Sequence, residues 1–345
     1  MVELSLRTSS GPITEKHVSD FVTSAYGLEG TVRRLGGEKD DNFILTTERG
    51  ESFLVKVAHL YEDPDVVSLQ TSVLDYLERV APELLIPRVV RDVDGLSDAP
   101  VSGGPLAGRR VRVTTYLEGT VLRNVESTST LRHEIGTTAA QLDHALKSFD
   151  HVGLRRALLW DIGQAKELLP LLDELPATKE RQLLEVQLER FVSEVLPRLS
   201  SLRSQAVHND LSTDNLLVTH DGRSLTGILD FGDVVHTQLV NEVAIAASYQ
   251  LSASHDPTNE AVEVVAGYHA TSPLTDEELN LVPELIVGRV LLWVIIPRWR
   301  SAKLPQNDAY VLRNAQRSWS VLLRLLGVAH DDFVERLHVA CGNGH

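Results

Sequence analysis

Cysteine is nearly absent: Cys341 stands alone in 345 residues, which excludes an internal disulfide framework and is compatible with a reducing cytoplasm. Basic residues are scarce beside acidic ones. The 33 Lys and Arg against 48 Asp and Glu give a formal net charge of −15, which argues against a nucleic-acid-binding surface and weakly favours a cationic small molecule. Residues 1–10 lack a basic segment followed by an apolar block, so no signal peptide is expected. The most apolar stretch, residues 281–297, is broken by Glu284 and Arg289 and flanked by Arg298 and Arg300. It predicts a buried helix, too short and too polar to span a bilayer. No internal repeat or low-complexity tract is present. What remains is ordinary for a globular chain with room for two lobes: 43% of residues are hydrophobic. A cytoplasmic protein with neither a membrane nor a nucleic-acid partner is the expectation.

The most informative stretch is residues 206–233, AVHNDLSTDNLLVTHDGRSLTGILDFGD. Two apolar runs flank His220-Asp221-Gly222-Arg223, whose Asp-Gly pair signals a tight hairpin. Folding about that turn brings Asn215 near the register of Asp230, with Asp210 on the loop leading in. A carboxylate, an amide oxygen and a second carboxylate are hard ligands suited to Mg²⁺ that carries substrate phosphates. His-x-Asp-x4-Asn alone arises by chance in roughly one chain of this length in a hundred, and a hairpin ending in Asp-Phe-Gly makes coincidence rarer. A bland reading makes Asp210 and Asp214 turn formers, Asn215 a cap and Asp230 a strand-end carboxylate. Another makes His208, Asp210, Asp230 and His236 ligands of a hydrolytic metal centre, but it leaves Asn215 and Phe231-Gly232 without a task.

This region resembles the catalytic core of the aminoglycoside phosphotransferase and choline kinase superfamily. Within it, Gly-Ile-Leu-Asp-Phe-Gly-Asp at residues 227–233, followed by Glu-Val-Ala-Ile-Ala at residues 242–246, is most similar to hydroxylysine kinases. Many members carry His-Gly-Asp where this chain has His208-Asn209-Asp210, a variant similar to choline and ethanolamine kinases. The resemblance implies an α+β, protein-kinase-like fold of two lobes. Residues 1–116 would be the N-lobe, with an antiparallel sheet plus helix that binds the nucleotide. Residues 117–345 would be a mainly α-helical C-lobe with the catalytic hairpin and substrate helices. The implied cofactors are Mg²⁺ and ATP or GTP as donor. In such enzymes the first Asp, here Asp210, accepts the proton of the attacking hydroxyl, while Asn215 and Asp230 hold metal. The acceptor would be a small amino alcohol or amino sugar. Hydroxylysine comes first, with an aminoglycoside or homoserine next. A rival from another class is a nucleotide-binding pseudokinase acting through a partner, which predicts loss of at least one catalytic or metal residue. The motifs leave the acceptor, the choice of nucleotide and the oligomeric state open.

The rest of the chain is read in that frame. Residues 18–26 suit a short helix ended by Gly27 and Gly30. Residues 31–35, 42–47 and 53–57 read as strands, with a loop Gly36-Gly-Glu-Lys-Asp-Asp41 that lacks a full Gly-x-Gly-x-x-Gly. By the resemblance this loop, ending at Asn42, covers phosphates, and Lys56 neutralises their oxygens. Asp63-Pro64-Asp65 opens a helix with Val66, Leu69, Val73, Leu77 and Val80 on one face. Gln70 aligns with the Glu that usually pairs with the strand lysine, so an amide dipole or another carboxylate should orient Lys56. Strands are expected at residues 86–90 and 110–116, with a surface loop over 92–108. Thr115 and Leu117 would meet the nucleobase through backbone groups.

Helices are expected at residues 130–149, 161–175 and 182–202, the last with Leu183, Val186, Phe191, Val195 and Leu199 inward and kinked or ended by Pro197. Thr275-Asp-Glu-Glu278 predicts a capping box that starts a helix at Asp276. By the resemblance, His208 and Glu242 would be supporting residues, Glu242 by hydrogen-bonding the backbone of the catalytic loop. Asp233 either touches a second metal or caps the next helix. Arg289, Trp293, Arg298, Trp299, Arg313 and Trp319 lie on C-terminal helices that wall the acceptor pocket in related enzymes. Core packing is the preferred role for Trp293 and Trp299, ahead of cation–π contact with a substrate ammonium.

Overall fold

The structure, a computed structural model, describes residues 13–37, 40–251, 257–303 and 308–342. Glu38 and Lys39 of the expected phosphate loop lie outside the described residues, as does the side chain of Arg313. The chain divides into two compact units: Met1–Gly119 with Phe149–Arg155 and Thr226–Gly232, and Thr120–Ser148 with Arg156–Leu225 and Asp233–His345.

The first unit starts with α1 (Glu15–Tyr26), where Thr14 Oγ1 accepts from His17 N–H and Gly27 closes the helix at φ 65°. Then come β1 (Gly30–Arg34), β2 (Asp41–Thr47), β3 (Ser52–Val57), α2 (Pro64–Val80), β4 (Val89–Val90), β5 (Ala99–Pro100) and β6 (Arg110–Thr115). The antiparallel sheet runs β1-β2-β3-β6-β4, with β5 on β6. Strand alternation decides which residues can work. Phe43, Leu45, Val55, Val57, Val111 and Val113 form one core with Val18, Val22 and Tyr26 of α1. Asn42, Lys56 and Arg112 fall opposite one another across β2, β3 and β6, out of phase with that core.

Two expectations change here. The 92–108 segment is more than a surface loop, because Ala99, Val101 and Leu106 enter the core and β5 pairs with β6. On α2 the buried side chains are Val67, Leu69, Thr71, Val73, Leu74 and Leu77. Val66 is only half-buried and Val80 is exposed, since the last turn runs past the packed surface.

The second unit contains β7 (Thr120–Val121), α3 (Ser129–Leu146), α4 (Leu169–Asp173), α5 (Lys179–Arg190), α6 (Leu196–Leu199), β8 (Ser204–Val207), β9 (Leu216–Val218) and the start of β10 (Leu225–Ile228). It continues with β11 (Val235–Gln238), α7 (Leu239–Ser248), α8 (Asn259–Thr271), α9 (Asp276–Lys303), α10 (Asp308–Leu325) and α11 (His330–Ala340). Helices α3 and α8 meet backbone to backbone. A Cβ on Gly136 would sit 1.9 Å from Val264 O, and one on Gly267 2.1 Å from His133 O, so only glycine fits at either crossing point. The turn after β9 is closed by Thr219 N–H to Ser224 O at 2.9 Å.

Residues 161–175 form a 3-10 run, Ile162–Leu168, before the short α4. Between α5 and α6 lies a π turn, Phe191–Val195. Leu184 and Leu188 are the inward residues of α5, in phase with the buried Phe191, Val195 and Leu199, while Leu183 is half-buried and Val186 is exposed. The capping box on α9 is present, with Thr275 Oγ1 accepting from Glu278 N–H at 3.2 Å and Glu278 Oε2 accepting from Thr275 N–H at 2.8 Å. At 28 residues α9 is longer than expected and, by length and composition, apolar enough to cross a membrane. Its most apolar window is 83% buried inside the protein, the pattern of a core helix.

Candidate active site

In the first unit the site centres on Lys56. Its Nζ lies 3.0 Å from Asp230 Oδ1, and the same oxygen accepts from Gly232 N–H at 3.3 Å. A carboxylate therefore orients the lysine. Gln70 stands beside this turn, since a Cβ on Gly232 would be 3.1 Å from Asp230 Oδ1 and 3.9 Å from Gln70 Cδ. Asn42 Nδ2 reaches Gly36 O at 3.2 Å. A side chain on Gly37 would run into Asp40 O at 2.4 Å and Asn42 Nδ2 at 2.6 Å, so this tight turn requires glycine. Asp40 is tied to buried Arg112, and Asp41 pairs with Arg34 at 2.6 Å. Thr115 ends β6, where its N–H donates to Arg88 O and its Oγ1 accepts from Arg88 N–H, both at 2.8 Å. Leu117 follows as a half-buried residue outside the strand.

In the second unit the loop after β8 is held at several points. His208 is fully buried, and its Nδ1 lies 3.3 Å from Asp210 N. Asn209 has φ 67°, a left-handed conformation that Asn tolerates better than most residues and glycine adopts without strain. That geometry suits the Gly of the His-Gly-Asp motif to which this loop is likened. Glu242 Oε2 accepts from Asn209 N–H at 2.7 Å. Burial pushes the Glu242 carboxyl up to about 8, against the lowering effects of the Asn209 N–H and Arg289.

Asp210 is the hub of the unit. Its Oδ1 accepts from Arg289 Nη2 and from Tyr249 OH, each at 2.9 Å, and its Oδ2 accepts from Asn215 Nδ2 at 2.7 Å. Arg289 is only 1% exposed, whereas the Asp210 side chain is 23% exposed. Arg289 Nη1 donates to Trp160 O at 2.5 Å, and its guanidinium packs 5.7 Å from the ring centres of both Trp160 and Tyr249. Burial and the Asp210 charge together push the Tyr249 phenol far above its ordinary value, so it stays a donor. Nearby, Asp161 is also raised by burial while it accepts from Thr237 Oγ1 at 2.9 Å.

Asp233 closes a 3-10 turn, Phe231–Asp233. The α7 N-cap is Gln238, which makes no side-chain capping bond, so Asp233 does not cap that helix. Asp233 instead contributes negative charge at Arg289. His236 is exposed on β11 while His208 is buried, and among the described residues no group of three or more His, Cys, Asp or Glu could hold a metal ion. A histidine-rich hydrolytic centre is not what this arrangement provides. Asn215 and Asp230 offer hard oxygens of the kind Mg²⁺ takes. Asn215 spends its amide nitrogen on Asp210, which leaves its carbonyl oxygen as an acceptor.

Arg112, Tyr249 and the Arg289–Asp210 pair were missed by motif reasoning. Arg289 is 79 residues from Asp210 and Tyr249 is 39, with no local pattern to link them. A charged residue inside the apolar run of α9 was the one available signal.

The pattern of the phosphotransferase enzyme family matches residues 31–278. The chain is 26% identical over 345 residues to a hydroxylysine kinase of Danio rerio, covering 96% of this chain and 97% of that one. It is 29% identical over 268 residues to a homoserine kinase of Methylobacillus flagellatus, covering 75% and 76%. Among solved structures, amicoumacin kinase hAmiN in complex with AMP-PNP, Ca²⁺ and Ami superposes with a TM-score of 0.70 at 17% identity, covering 90% of this chain and 93% of that one. That likeness carries the fold, two-lobed and protein-kinase-like.

Proposed function

This chain belongs to the phosphotransferase enzyme family, and from that premise we propose that it moves the γ-phosphoryl of ATP or GTP to a hydroxyl of a small amine-bearing metabolite in the cytoplasm. Hydroxylysine or a similar amino alcohol is the first acceptor and homoserine the second. The observation that carries the reading is the hold on Asp210: both carboxylate oxygens are fixed by side chains, yet the group keeps some exposure. An ionised carboxylate has about four acceptor positions, so Oδ2 still takes the hydrogen of an incoming hydroxyl. As the hydroxyl oxygen bonds phosphorus, the bond from phosphorus to the β,γ-bridging oxygen breaks and the acceptor's proton passes to Asp210.

Lys56 binds the phosphate oxygens and Asn42 holds the phosphate loop in shape. Backbone groups of Thr115 and Leu117 meet the base. Gln70, His208, Asp233 and Glu242 support these residues from behind. Asn215 and Asp230 would hold Mg²⁺, which screens the charge of the phosphates when bound. A phosphate-transfer assay over amino alcohols, hydroxy amino acids and aminoglycosides, with ATP and GTP in parallel, tests the proposal. Turnover on one acceptor should fall by roughly a hundredfold to ten-thousandfold in Asp210→Ala. Transfer that survives this substitution would refute the role of Asp210. Silence across the panel would remove the proposed acceptor class.

A further inference from the structure

Among the described residues, two N–H donors of helix α9 close to Asp210 and Tyr249 have no partner. They are Nε of Arg289 and Nε1 of Trp293, both buried. The two residues are four apart, so they share a face of the helix one turn from each other. Tyr249 joins them, with its ring centre 4.5 Å from that of Trp293 and 5.7 Å from the Arg289 guanidinium. Its hydroxyl lies 2.9 Å from Asp210 Oδ1. Buried donors are nearly always satisfied by protein, water or ligand. Arg289 spends Nη1 on Trp160 O and Nη2 on Asp210, and its third donor group is left.

The chemistry of the cluster selects its ligand. Both unpartnered atoms on this face donate, so they suit an oxygen acceptor and give nothing to an ammonium. Charge does not oppose this. Arg289 and Arg300 lie 5.7 and 5.6 Å from the Trp160 ring centre, against the anions Asp210 and Asp233. Burial raises the Glu242 carboxyl to about 8 and also raises that of Asp161. The neighbourhood of Asp210 is thus close to neutral in a chain of net charge −15, and the two unpartnered donors select for an acceptor group.

We propose that Arg289 and Trp293 receive a carboxylate of the acceptor, so that the enzyme prefers a hydroxy amino acid to the amino alcohol that lacks that group. The inference rests on the kinase reading above and narrows its acceptor. A carboxylate across Arg289 Nε and Trp293 Nε1 would place the rest of the acceptor next to Tyr249 and Asp210.

Paired acceptors that differ only in the carboxylate provide the test: homoserine against aminopropanol, and hydroxylysine against hydroxycadaverine. The wild-type protein should favour the amino acid in each pair by about tenfold or more in kcat/KM. Trp293→Phe keeps a ring against Tyr249 and deletes one N–H, and it should shrink that preference by about tenfold, mainly through KM. Equal use of both members by wild type, or an undiminished preference in Trp293→Phe, overturns the inference. Calorimetric binding of the same pairs to the protein with AMP-PNP is read separately from turnover. If neither member of a pair is phosphorylated, the kinase reading fails for these acceptors. Tighter amino-acid binding that Trp293→Phe weakens would still uphold the carboxylate site, and equal or absent binding would sink it.

Discussion

Asp230 and Asp210 are the two carboxylates that the sequence singled out, and the structure treats them differently. Among the described residues only Asn209 and Asp230 are non-glycine residues with positive φ, 67° and 57°, so both sites sit on strained turns of the kind that gathers at functional positions. There the likeness ends. Asp230 is 51% exposed and pairs with Lys56 of β3. Asp210 is gripped by Asn215 of its own loop, by Tyr249 at the end of α7 and by the sealed Arg289 of α9. A hydrated ion pair is weak and exchanges easily, which suits the proposed roles of Lys56 toward phosphate and Asp230 toward a metal. A carboxylate fixed by desolvated donors is rigid and costly to disturb. One is built to change partners and the other to keep them.

Breaking the Asp210 cluster should therefore have the largest effect on stability. Arg289→Met leaves the Asp210 charge without its guanidinium and Tyr249 as its neighbour. Removal of one member of a buried pair costs about 3–5 kcal/mol, and the residual exposure of Asp210 places the expected loss near the lower end. Chemical denaturation of Arg289→Met, with Arg289→Lys as the partial rescue, measures it. A loss below about 1 kcal/mol would mean that the cluster is no more rigid than a surface pair.

Lys56→Met is the matching cut on the other side. The Lys56–Asp230 pair should contribute about 0–1 kcal/mol, so the denaturation midpoint should barely move while phosphate transfer collapses. A large loss of stability with transfer retained would reverse the contrast drawn between the two carboxylates.

The contrast also marks what was legible in the sequence. The Asp210–Asn215 spacing and the Lys56 strand are local patterns, and so are the Asp63 cap and the capping box from Thr275 to Glu278, so the motif-bearing loops could be read directly, and the resemblance those motifs carry supplied the α+β fold. Periodicity failed in α5, where Leu184 and Leu188 face inward in place of Leu183 and Val186, and where a short strand, Ala99–Pro100, joined the sheet from an apparent loop. Arg289 was seen only as a charge interrupting an apolar run. Its partnership with Asp210 depends on how α9 packs, a tertiary fact with no trace in spacing. Asn209 shows the intermediate case: the departure from Gly was visible, but its meaning required the φ of 67°.

Glu242 offers the finest cut, because it holds the Asp210 loop through the backbone N–H groups of Asn209 and His208. Its carboxyl is raised by burial from an ordinary 4.5 to about 8, and it shares a buried neighbourhood with Asp143, which burial also raises and which accepts from Tyr268 OH at 2.6 Å. Between those two values the folded protein holds a proton that the unfolded chain has released. The unfolded state binds fewer protons there, so the contribution of Glu242 to stability falls as pH rises through that window. Glu242→Gln keeps an oxygen for Asn209 N–H and cannot ionise. Its melting temperature relative to wild type should rise steadily from pH 5 to pH 8, by at most about 1.4 kcal/mol of relative stability per pH unit. Parallel melting curves across that range would show that Glu242 is charged in the folded protein. The support beneath Asp210 would then be a buried anion facing Arg289, where a neutral acid is expected.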